Sequence, residues 1–289
     1  MRVLVTGAGG QTGRLVIPFL LDRGVEVRAL ATRESTRTDL EAMGVAEARI
    51  VDLEDPAALD AAFEGMDKVL HIPPAIKPNE ADLGRAVVAA AVRAGASHFV
   101  LHSVVSSQID EIVFHAAKRE VEHALINSGL PFTILQPNNY MQNVGWTWER
   151  IVGDGKFVMP YSADTLLAWV DARDLAEALA VVLTDPGYEY GTFECIGTES
   201  PLTRKQMAEI ISEELGRPVE AVVMPVEEYM ALPTWDDRPA DEMARVRTMF
   251  EYFDRIGGYT GNSKPLEMIL GRKPRSYREF IADFVAQNS

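Results

Sequence analysis

The chain has 289 residues, of which 47% are hydrophobic, and its formal net charge is −15. A chain of this size buries a large core, and its acidic balance argues against nucleic acid or an anionic membrane surface as a partner, because both require clustered cations. Cys195 is the only cysteine, which excludes an intrachain disulfide and a thiolate metal cluster. We expect a soluble cytoplasmic protein, because no apolar run reaches the ~20 residues of a membrane span and no signal-peptide pattern opens the chain.

The first predicted strand ends in a glycine cluster. An apolar run at 3–5 predicts a buried strand, and a helical apolar pattern follows Gly13. Gly7 permits a tight turn, Gly10 lets a phosphate approach the backbone, and Gly13 lets the helix pack closely on the sheet. This context predicts a pyrophosphate at the helix N-terminus, although the glycine spacing also fits an ordinary glycine-rich turn. The candidate cofactor-binding residues of the segment are Gly7, Gly10, Gln11, Thr12 and Gly13.

Strand and helix patterns alternate through the first half of the chain. The predicted strands are 3–5, 25–30, 48–51, 69–72, 98–102 and 132–135, and the helices after the first are 38–43, 56–63, 81–94 and 112–128. Such alternation is typical of right-handed βαβ units. It predicts an α/β Rossmann fold with a doubly wound parallel sheet.

The second half has a different character. We predict strands at 156–159, 166–170, 193–196 and 219–224, helices at 172–183, 202–215 and 276–285, and a partly helical acidic segment at 226–256. These patterns indicate one nucleotide-binding domain over 1–150, to which 166–185 return. Residues 151–289 are expected to form mainly a smaller C-terminal lobe that binds the substrate.

The end of the second predicted strand indicates which dinucleotide is preferred. In a site for NAD, an Asp or Glu at this point holds the ribose diol, whereas here Arg33 is reached before any carboxylate. An arginine can hold a 2′-phosphate through two charge-assisted hydrogen bonds, and Arg14 offers a second cation. We therefore predict NADPH or NADP rather than NAD, with a surface cation as the alternative role of Arg33. Asp52 either accepts a hydrogen bond from the adenine amine or stabilises a turn.

Several segments resemble the atypical short-chain dehydrogenase/reductases of the NmrA-like group. The similar segments are 7–13, 27–33, 118–122, 128–143 and 166–179, so that the resemblance covers about residues 1–185 and is weaker beyond. It implies binding of NADP(H) and, in some members, reduction of quinones or related conjugated acceptors. Other members bind the nucleotide chiefly as redox sensors.

The resemblance also indicates candidate catalytic residues. The ordinary short-chain set is a serine followed by Tyr-x-x-x-Lys, and Lys118 matches the lysine that contacts the nicotinamide ribose, whereas Phe114 stands at the tyrosine position. Phenylalanine has no proton to donate, so a simple alcohol dehydrogenase is not expected. Either the acceptor is electron-poor enough to accept a hydride before a proton, or His115 or Tyr140 supplies the proton. A packing role for His115 and a solvated helix position for Lys118 are the alternatives.

The remaining candidates follow the ends of predicted strands. Ser103 follows the fifth strand and is either catalytic or a turn cap. Pro73, with Pro74, would form a wall of the cofactor groove, and Asn138 would meet the nicotinamide carboxamide. The aromatic and apolar residues suited to a flat acceptor are Tyr140, Met141, Trp146 and Trp169, of which Met141 and Trp169 are alternatively core residues.

These observations predict a function. We expect an NADPH-dependent reductase that transfers a hydride to a flat conjugated small molecule, either a quinone, an enone or a dye-like acceptor. The alternatives are an NADP(H)-sensing regulator with little turnover, and an isomerase or lyase on the same fold. The five histidines have no ligand spacing, so no metal is expected. A monomer or homodimer is the expected state.

Overall fold

The structure of the protein, a computed structural model, describes residues 1–74, 76–236 and 238–288. Its strands are β1 (Arg2–Val5), β2 (Glu26–Ala31), β3 (Glu47–Ile50), β4 (Lys68–His71), β5 (His98–His102), β6 (Phe132–Pro137), β7 (Asn139–Tyr140), β8 (Lys156–Met159), β9 (Trp169–Val170), β10 (Gly191–Cys195) and β11 (Glu220–Val223). Its α-helices are α1 (Gln11–Asp22), α2 (Glu34–Ala42), α3 (Pro56–Phe63), α4 (Glu80–Ala94), α5 (Val113–Ile126), α6 (Trp148–Asp154), α7 (Ala172–Thr184), α8 (Arg204–Leu215), α9 (Val226–Met230), α10 (Ala240–Ile256), α11 (Lys264–Leu270) and α12 (Tyr277–Asn288). Two 3-10 helices cover Met141–Thr147 and Pro233–Trp235.

The main sheet has seven strands in the order β10-β6-β5-β4-β1-β2-β3. Strands β1 to β6 pair in parallel, and β10 completes the sheet beside β6. The strand order reverses at β1, because β2 and β3 lie on one side of it and β4 to β6 on the other. Open α/β sheets bind ligands at the carboxyl ends of the strands beside such a reversal. The predicted α/β Rossmann fold with a doubly wound parallel sheet is confirmed.

Capping residues in the sequence set where three of the helices begin or end. Asp55 precedes α3 and accepts hydrogen bonds from the N–H groups of Ala57 and Ala58, while Pro56 occupies the first helical position. Gly95 ends α4 in a left-handed conformation with φ +69°. Thr203 and Gln206 form a reciprocal capping box at the start of α8.

A hydrophobic core joins the main sheet to the helices α3, α4 and α5. Leu4, Val69 and Phe99 come from the strands of this core and are fully buried. Phe63 from α3 and Val121 from α5 are also buried in the cluster. Burial of this apolar surface stabilises the sheet. Polar side chains are found instead at the carboxyl ends of its strands.

The chain forms two compact units. The first unit consists of residues 1–108, 114–137 and 172–193, and the second of 109–113, 138–171 and 194–289. The expected limits, 150 for the first domain and 166–185 for the returning segment, differ from these. The chain leaves the main sheet directly after β6. Its next strand, β7, pairs in parallel with β9 in a separate small sheet.

The second unit differs from its predicted elements in several places. The expected strand at 166–170 is reduced to the two residues of β9, and the acidic segment 226–256 contains α9, a 3-10 helix and α10. Helix α11 was not predicted, because its seven residues are too few for a clear helical period. Strands β8 and β11 pair in parallel. No helix within the described residues is long and apolar enough to span a membrane.

Candidate functional site

The glycine turn between β1 and α1 requires glycine at two of its predicted positions. Gly7 has φ +63°, and a Cβ there would lie 2.4 Å from the carbonyl oxygen of Ile72. A Cβ on Gly13 would lie 2.4 Å from the carbonyl oxygen of Gly7. Gly10 is exposed, and the nearest atom to a Cβ there would be the Gly7 oxygen at 3.3 Å. The turn is therefore tightly packed toward the sheet and open at Gly10.

The start of α1 presents its backbone without a side-chain cap. Gly10 is the N-cap residue, and the first turn contains Gln11, which is exposed, and Thr12, which is buried. None of the residues from Gln11 to Arg14 is acidic. The first N–H groups and the positive end of the helix dipole thus suit an anion such as a pyrophosphate.

Two cavities in the first unit share Gly7 and Thr32, the residue after β2, as lining. One, of about 270 Å³, is lined by the glycine turn together with Arg33 and Thr36. The other, of about 340 Å³, is lined by Asp52, Pro74 and other residues after β3 and β4. The structure therefore brings the predicted residues Gly7, Gly10 and Arg33 to one cavity, and Asp52 to its neighbour. Pro73 is buried, and the adjacent Pro74 lines the cavity in its place.

The two candidate arginines differ in their partners. Nη2 of Arg14 lies 2.7 Å from Asp39 Oδ2, and its Nε donates to the carbonyl oxygen of Gly9. Arg33 is exposed, and its Nε donates to Thr36 Oγ1 at 3.2 Å. Among the residues that the structure describes, no carboxylate pairs with Arg33. A 2′-phosphate would therefore meet an uncompensated charge at Arg33, whereas the charge of Arg14 is already balanced.

Asp52 stabilises a turn as well as lining a cavity. Its Oδ1 accepts a hydrogen bond from the N–H of Glu54 at 2.9 Å, and its carbonyl oxygen accepts from the N–H of Asp55. Both contacts belong to the turn before α3. The adenine role of Asp52 stays a prediction beside this structural role.

Lys118 on α5 is buried rather than solvated. Its ammonium forms an ion pair with Glu80, the first residue of α4, whose side chain is fully buried. Burial, followed by the charge of Lys118, lowers the pKa of His71 to about 3. The same two causes lower the pKa of His102 to about 3. His71 and His102 are the last residues of β4 and β5, so Lys118 acts at the carboxyl edge of the sheet.

His115 is in a poor position to supply a proton. It is fully buried, and its Nδ1 lies 3.1 Å from the carbonyl oxygen of Ser106, which can only accept. Burial lowers the pKa of His115 to about 4, although the hydrogen bond to Ser106 opposes the shift. The ring is neutral at neutral pH and binds the loop after β5, which favours the packing role. Phe114 packs against it with 5.0 Å between the ring centroids.

Ser103 belongs to a buried polar cluster around Glu122 on α5. Its Oγ donates to Glu122 Oε1 at 2.5 Å, and Ser107 donates to Oε2 at 2.9 Å. Nε2 of Gln136 on β6 also donates to Oε1, at 2.7 Å. The hydroxyl of Ser103 is thus used to hold the loop after β5, which favours a structural role over a catalytic one.

Asn138 directly follows β6, and its side-chain amide is only partly hydrogen-bonded within the described residues. Its Oδ1 accepts from the backbone and side-chain N–H groups of Asn139 at 2.7 and 3.0 Å. Within the part of the chain that the structure describes, its buried Nδ2 has no hydrogen-bond partner. Because an unpaired buried donor is costly, a ligand carbonyl suits this position. Tyr140, two residues later, is half-buried and pairs with Val170.

An aromatic cavity of about 470 Å³ lies within the second unit. Trp146 and Trp235 line it with ring centroids 5.9 Å apart, and Tyr229, Leu232 and Arg150 complete part of the wall. Trp146 is 41% exposed, as a ligand-stacking residue would be. Met141 and Trp169 are buried, in agreement with their alternative role as core residues.

Several residues of these sites were not identified from the sequence. Glu80 and Glu122 are buried carboxylates that the sequence shows only as ordinary helix residues, and Trp235 lies in a segment without a clear period. A signal was available for Glu122, because it lies four residues after Lys118 and therefore on the same helix face. The described residues contain no group of three or more His, Cys, Asp or Glu side chains that could hold a metal ion.

Comparison with known proteins supplies a context for this geometry. The sequence profile of the NmrA-like family matches residues 1–281. The NAD(P)H azoreductase of Xenophilus azovorans is 29% identical over 282 residues, or 96% of each chain. The (4-alkanoyl-5-oxo-2,5-dihydrofuran-3-yl)methyl phosphate reductase of Streptomyces griseus is 35% identical over 283 residues, or 97% of each chain. The crystal structure of the Citrobacter triphenylmethane reductase complexed with NADP(H) superposes with a TM-score of 0.85 at 26% identity, covering 97% of this chain and 99% of that one.

Proposed function

The chain belongs to the NmrA-like family, and on this premise we propose that it is an NADPH-dependent reductase of a flat conjugated small molecule. The acceptor class comprises quinones, enones and dye-like molecules. The azoreductase and the Streptomyces griseus reductase each match nearly the full chain. Both support the oxidoreductase class. Their acceptors differ from each other, so the acceptor is proposed here as a class rather than as one compound.

The observation that carries the proposal is the cavity shared by the glycine turn and Arg33. The open backbone at Gly10 and the uncapped start of α1 would hold the pyrophosphate. Arg33, which has no carboxylate partner among the described residues, would bind the 2′-phosphate of NADPH. The neighbouring cavity beside Asp52 would hold the adenine. These residues fit NADPH better than NAD.

Neither Phe114 nor the buried His115 is suited to donate a proton, which supports an electron-poor acceptor. When bound, the reduced nicotinamide supplies the hydride. Lys118 is proposed to contact the nicotinamide ribose, and Asn138 Nδ2 to bind the carboxamide. With Phe114 at the tyrosine position and a neutral His115, a conjugated acceptor would form a delocalised anion that takes its proton from water. Positioning then accounts for most of the rate.

The acceptor is proposed to stack in the aromatic cavity of the second unit. The rings of the exposed Trp146 and the buried Trp235 meet in a T-shaped arrangement and offer apolar contact to a planar ring. Glu149 and Arg150 both line the cavity, so its wall carries one charge of each sign. This arrangement suits a planar molecule better than a branched aliphatic one.

The second candidate function is an NADP(H)-sensing regulator with little turnover. Phe114 favours it, because the residue removes the usual proton donor. The deciding experiment measures NADPH oxidation with a panel of naphthoquinones, azo dyes and triphenylmethane dyes, beside fluorescence titration with NADPH. Turnover with one of these acceptors supports the reductase. Tight NADPH binding without turnover on the whole panel supports the regulator.

A further inference from the structure

Glu80, the first residue of α4, is fully buried and uses both of its carboxylate oxygens. Oε1 pairs with Nζ of Lys118 on α5. Oε2 accepts a hydrogen bond from the backbone N–H of Ile76 at 3.1 Å. Because a buried carboxylate persists only when it is paired and hydrogen-bonded, these contacts fix the positions of both partners relative to α4.

The segment that Glu80 holds is conformationally unusual. Ile76 has φ +73°, a left-handed conformation that is an outlier for a β-branched residue. Such a conformation persists only where its surroundings hold it, and the bond to Glu80 Oε2 does so. Pro74 and Lys77, close to Ile76 in the chain, line the cavity beside Asp52. The carboxylate that pairs with Lys118 therefore also shapes a wall of the proposed adenine cavity.

Among the residues that the structure describes, Glu80 is the carboxylate that pairs with Lys118. The nearby His71 and His102 are neutral at neutral pH, because burial and the charge of Lys118 lower the pKa of each to about 3. Glu122 lies one helical turn from Lys118, but its oxygens accept from uncharged hydroxyl and amide donors. The position of the ammonium thus depends on Glu80.

We propose that Glu80 is a positioning residue for the reduction. Its carboxylate holds the Lys118 ammonium at the carboxyl edge of the sheet and, through Ile76, holds the segment beside the nucleotide cavity. This inference rests on the proposed function, in which Lys118 contacts the nicotinamide ribose. Glu80 acts through these two partners and does not itself touch the reacting atoms.

The first test compares two substitutions that break ion pairs between the same two helices. Glu80→Gln keeps the size of the side chain and an oxygen for the N–H of Ile76, but removes the charge facing Lys118. Glu120→Gln breaks the exposed pair of Glu120 on α5 with Arg85 on α4. We expect Glu80→Gln to raise the NADPH Kd about fivefold and to lower kcat about tenfold with a quinone acceptor, and Glu120→Gln to change both less than about twofold.

The second test asks whether Glu80 acts through Lys118. We expect the Glu80→Gln/Lys118→Met double variant to match Lys118→Met in Kd and kcat within about twofold, because the two side chains form one unit. We also expect it to melt at a higher temperature than Glu80→Gln, because no unpaired buried charge remains. Independent, multiplying losses would overturn the proposal, as would unchanged Kd and kcat in folded Glu80→Gln.

The two proposals fail in distinguishable ways. A wild-type protein that binds NADPH but reduces no acceptor contradicts the proposed function, while the Kd comparison still decides the role of Glu80. If Glu80→Gln does not fold, the comparison of Lys118→Met with the double variant decides it, because a further loss in the double variant contradicts action through Lys118. A wild-type protein that binds no NADPH overturns both proposals.

Discussion

Thr36 on α2 occupies the space that a side chain at Gly9 would need: its Cγ2 lies 2.2 Å from the position of a Cβ on Gly9. The hydroxyl of the same threonine accepts a hydrogen bond from Arg33 Nε at 3.2 Å. Thr36 therefore links the glycine turn to the arginine proposed to bind the 2′-phosphate. The packing of one methyl group sets how closely α2 approaches the turn.

This contact predicts a rescue. Gly9→Ala should destabilise the protein by about 1–3 kcal/mol, because the new methyl group overlaps Thr36 in a packed site. Thr36→Ser removes Cγ2 and keeps the hydroxyl for Arg33, so the double variant should recover most of the loss. Urea unfolding of the four proteins measures the coupling. Equal destabilisation of Gly9→Ala with and without Thr36→Ser would contradict the contact.

Arg33→Ala should discriminate between the two coenzymes. We expect it to weaken NADPH binding by about 1–3 kcal/mol and to change NADH binding little, because only NADPH carries the 2′-phosphate. Arg14→Ala is the matched control, since the charge of Arg14 is already balanced by Asp39. Fluorescence titration with each reduced coenzyme measures both effects. Equal losses for NADPH and NADH would remove the proposed 2′-phosphate contact.

Phe114→Tyr tests whether a proton donor is needed. A tyrosine four residues before Lys118 restores the short-chain pattern, so we expect slow reduction of simple ketones to appear. Reduction of quinones should change less than about threefold, because a delocalised anion needs no concerted protonation. Steady-state rates with a quinone and with a ketone provide the measurement. Loss of quinone reduction with intact NADPH binding would show that the account of the proton is wrong.

Four buried histidines predict a loss of stability in mild acid. Burial lowers the pKa of His71 and His102 to about 3, and that of His98 and His115 to about 4. The unfolded state therefore binds protons more readily than the folded state once the pH falls below about 6.5. Above that pH these histidines do not reduce the free energy of unfolding. As the pH falls toward about 4, the free energy of unfolding decreases by up to about 1.4 kcal/mol per pH unit for each histidine.

Urea unfolding between pH 7 and pH 5 measures how steeply the free energy of unfolding changes with pH. This interval lies above the range in which most carboxylates take up protons. His98→Gln removes one of the four groups and retains a donor for Thr133, whose Oγ1 lies 2.9 Å from His98 Nε2. We expect its slope to be shallower by about one proton. A flat profile in the wild-type protein would contradict the lowered pKa values.

Trp146→Ala tests the aromatic cavity as the acceptor site. Loss of the exposed indole face should raise the KM for a naphthoquinone about tenfold, while the NADPH Kd is unchanged. Trp148→Phe is the control, because Trp148 packs against Phe284 and does not line the cavity. An unchanged KM in Trp146→Ala would place the acceptor elsewhere.

Local patterns predicted much of the fold. The strand before Gly7 and the helix from Pro56 to Phe63 are each encoded by adjacent residues, so the sequence alone identifies them. The steric reasons for glycine at 7 and 13 were likewise predictable, because a strand, a tight turn and a helix leave no room for a Cβ.

The buried charge pairs were not predictable from local patterns. Glu80 and Lys118 are 38 residues apart in sequence, and only the packing of α4 against α5 brings them together. Lys118 was therefore recognised as important while its partner was missed. Trp146 was likewise predicted without its partner Trp235, because Trp235 lies in a segment whose hydrophobic period is irregular.

The first unit is built from three separate stretches of chain, the last of which contains α7, and α7 packs against α1. A ribosome adds about 5–20 residues per second, so strands β1 to β6 emerge seconds before α7 has been synthesised. During that interval the face of α1 that α7 covers stays exposed. The first unit can therefore be completed only after residue 193 has been synthesised.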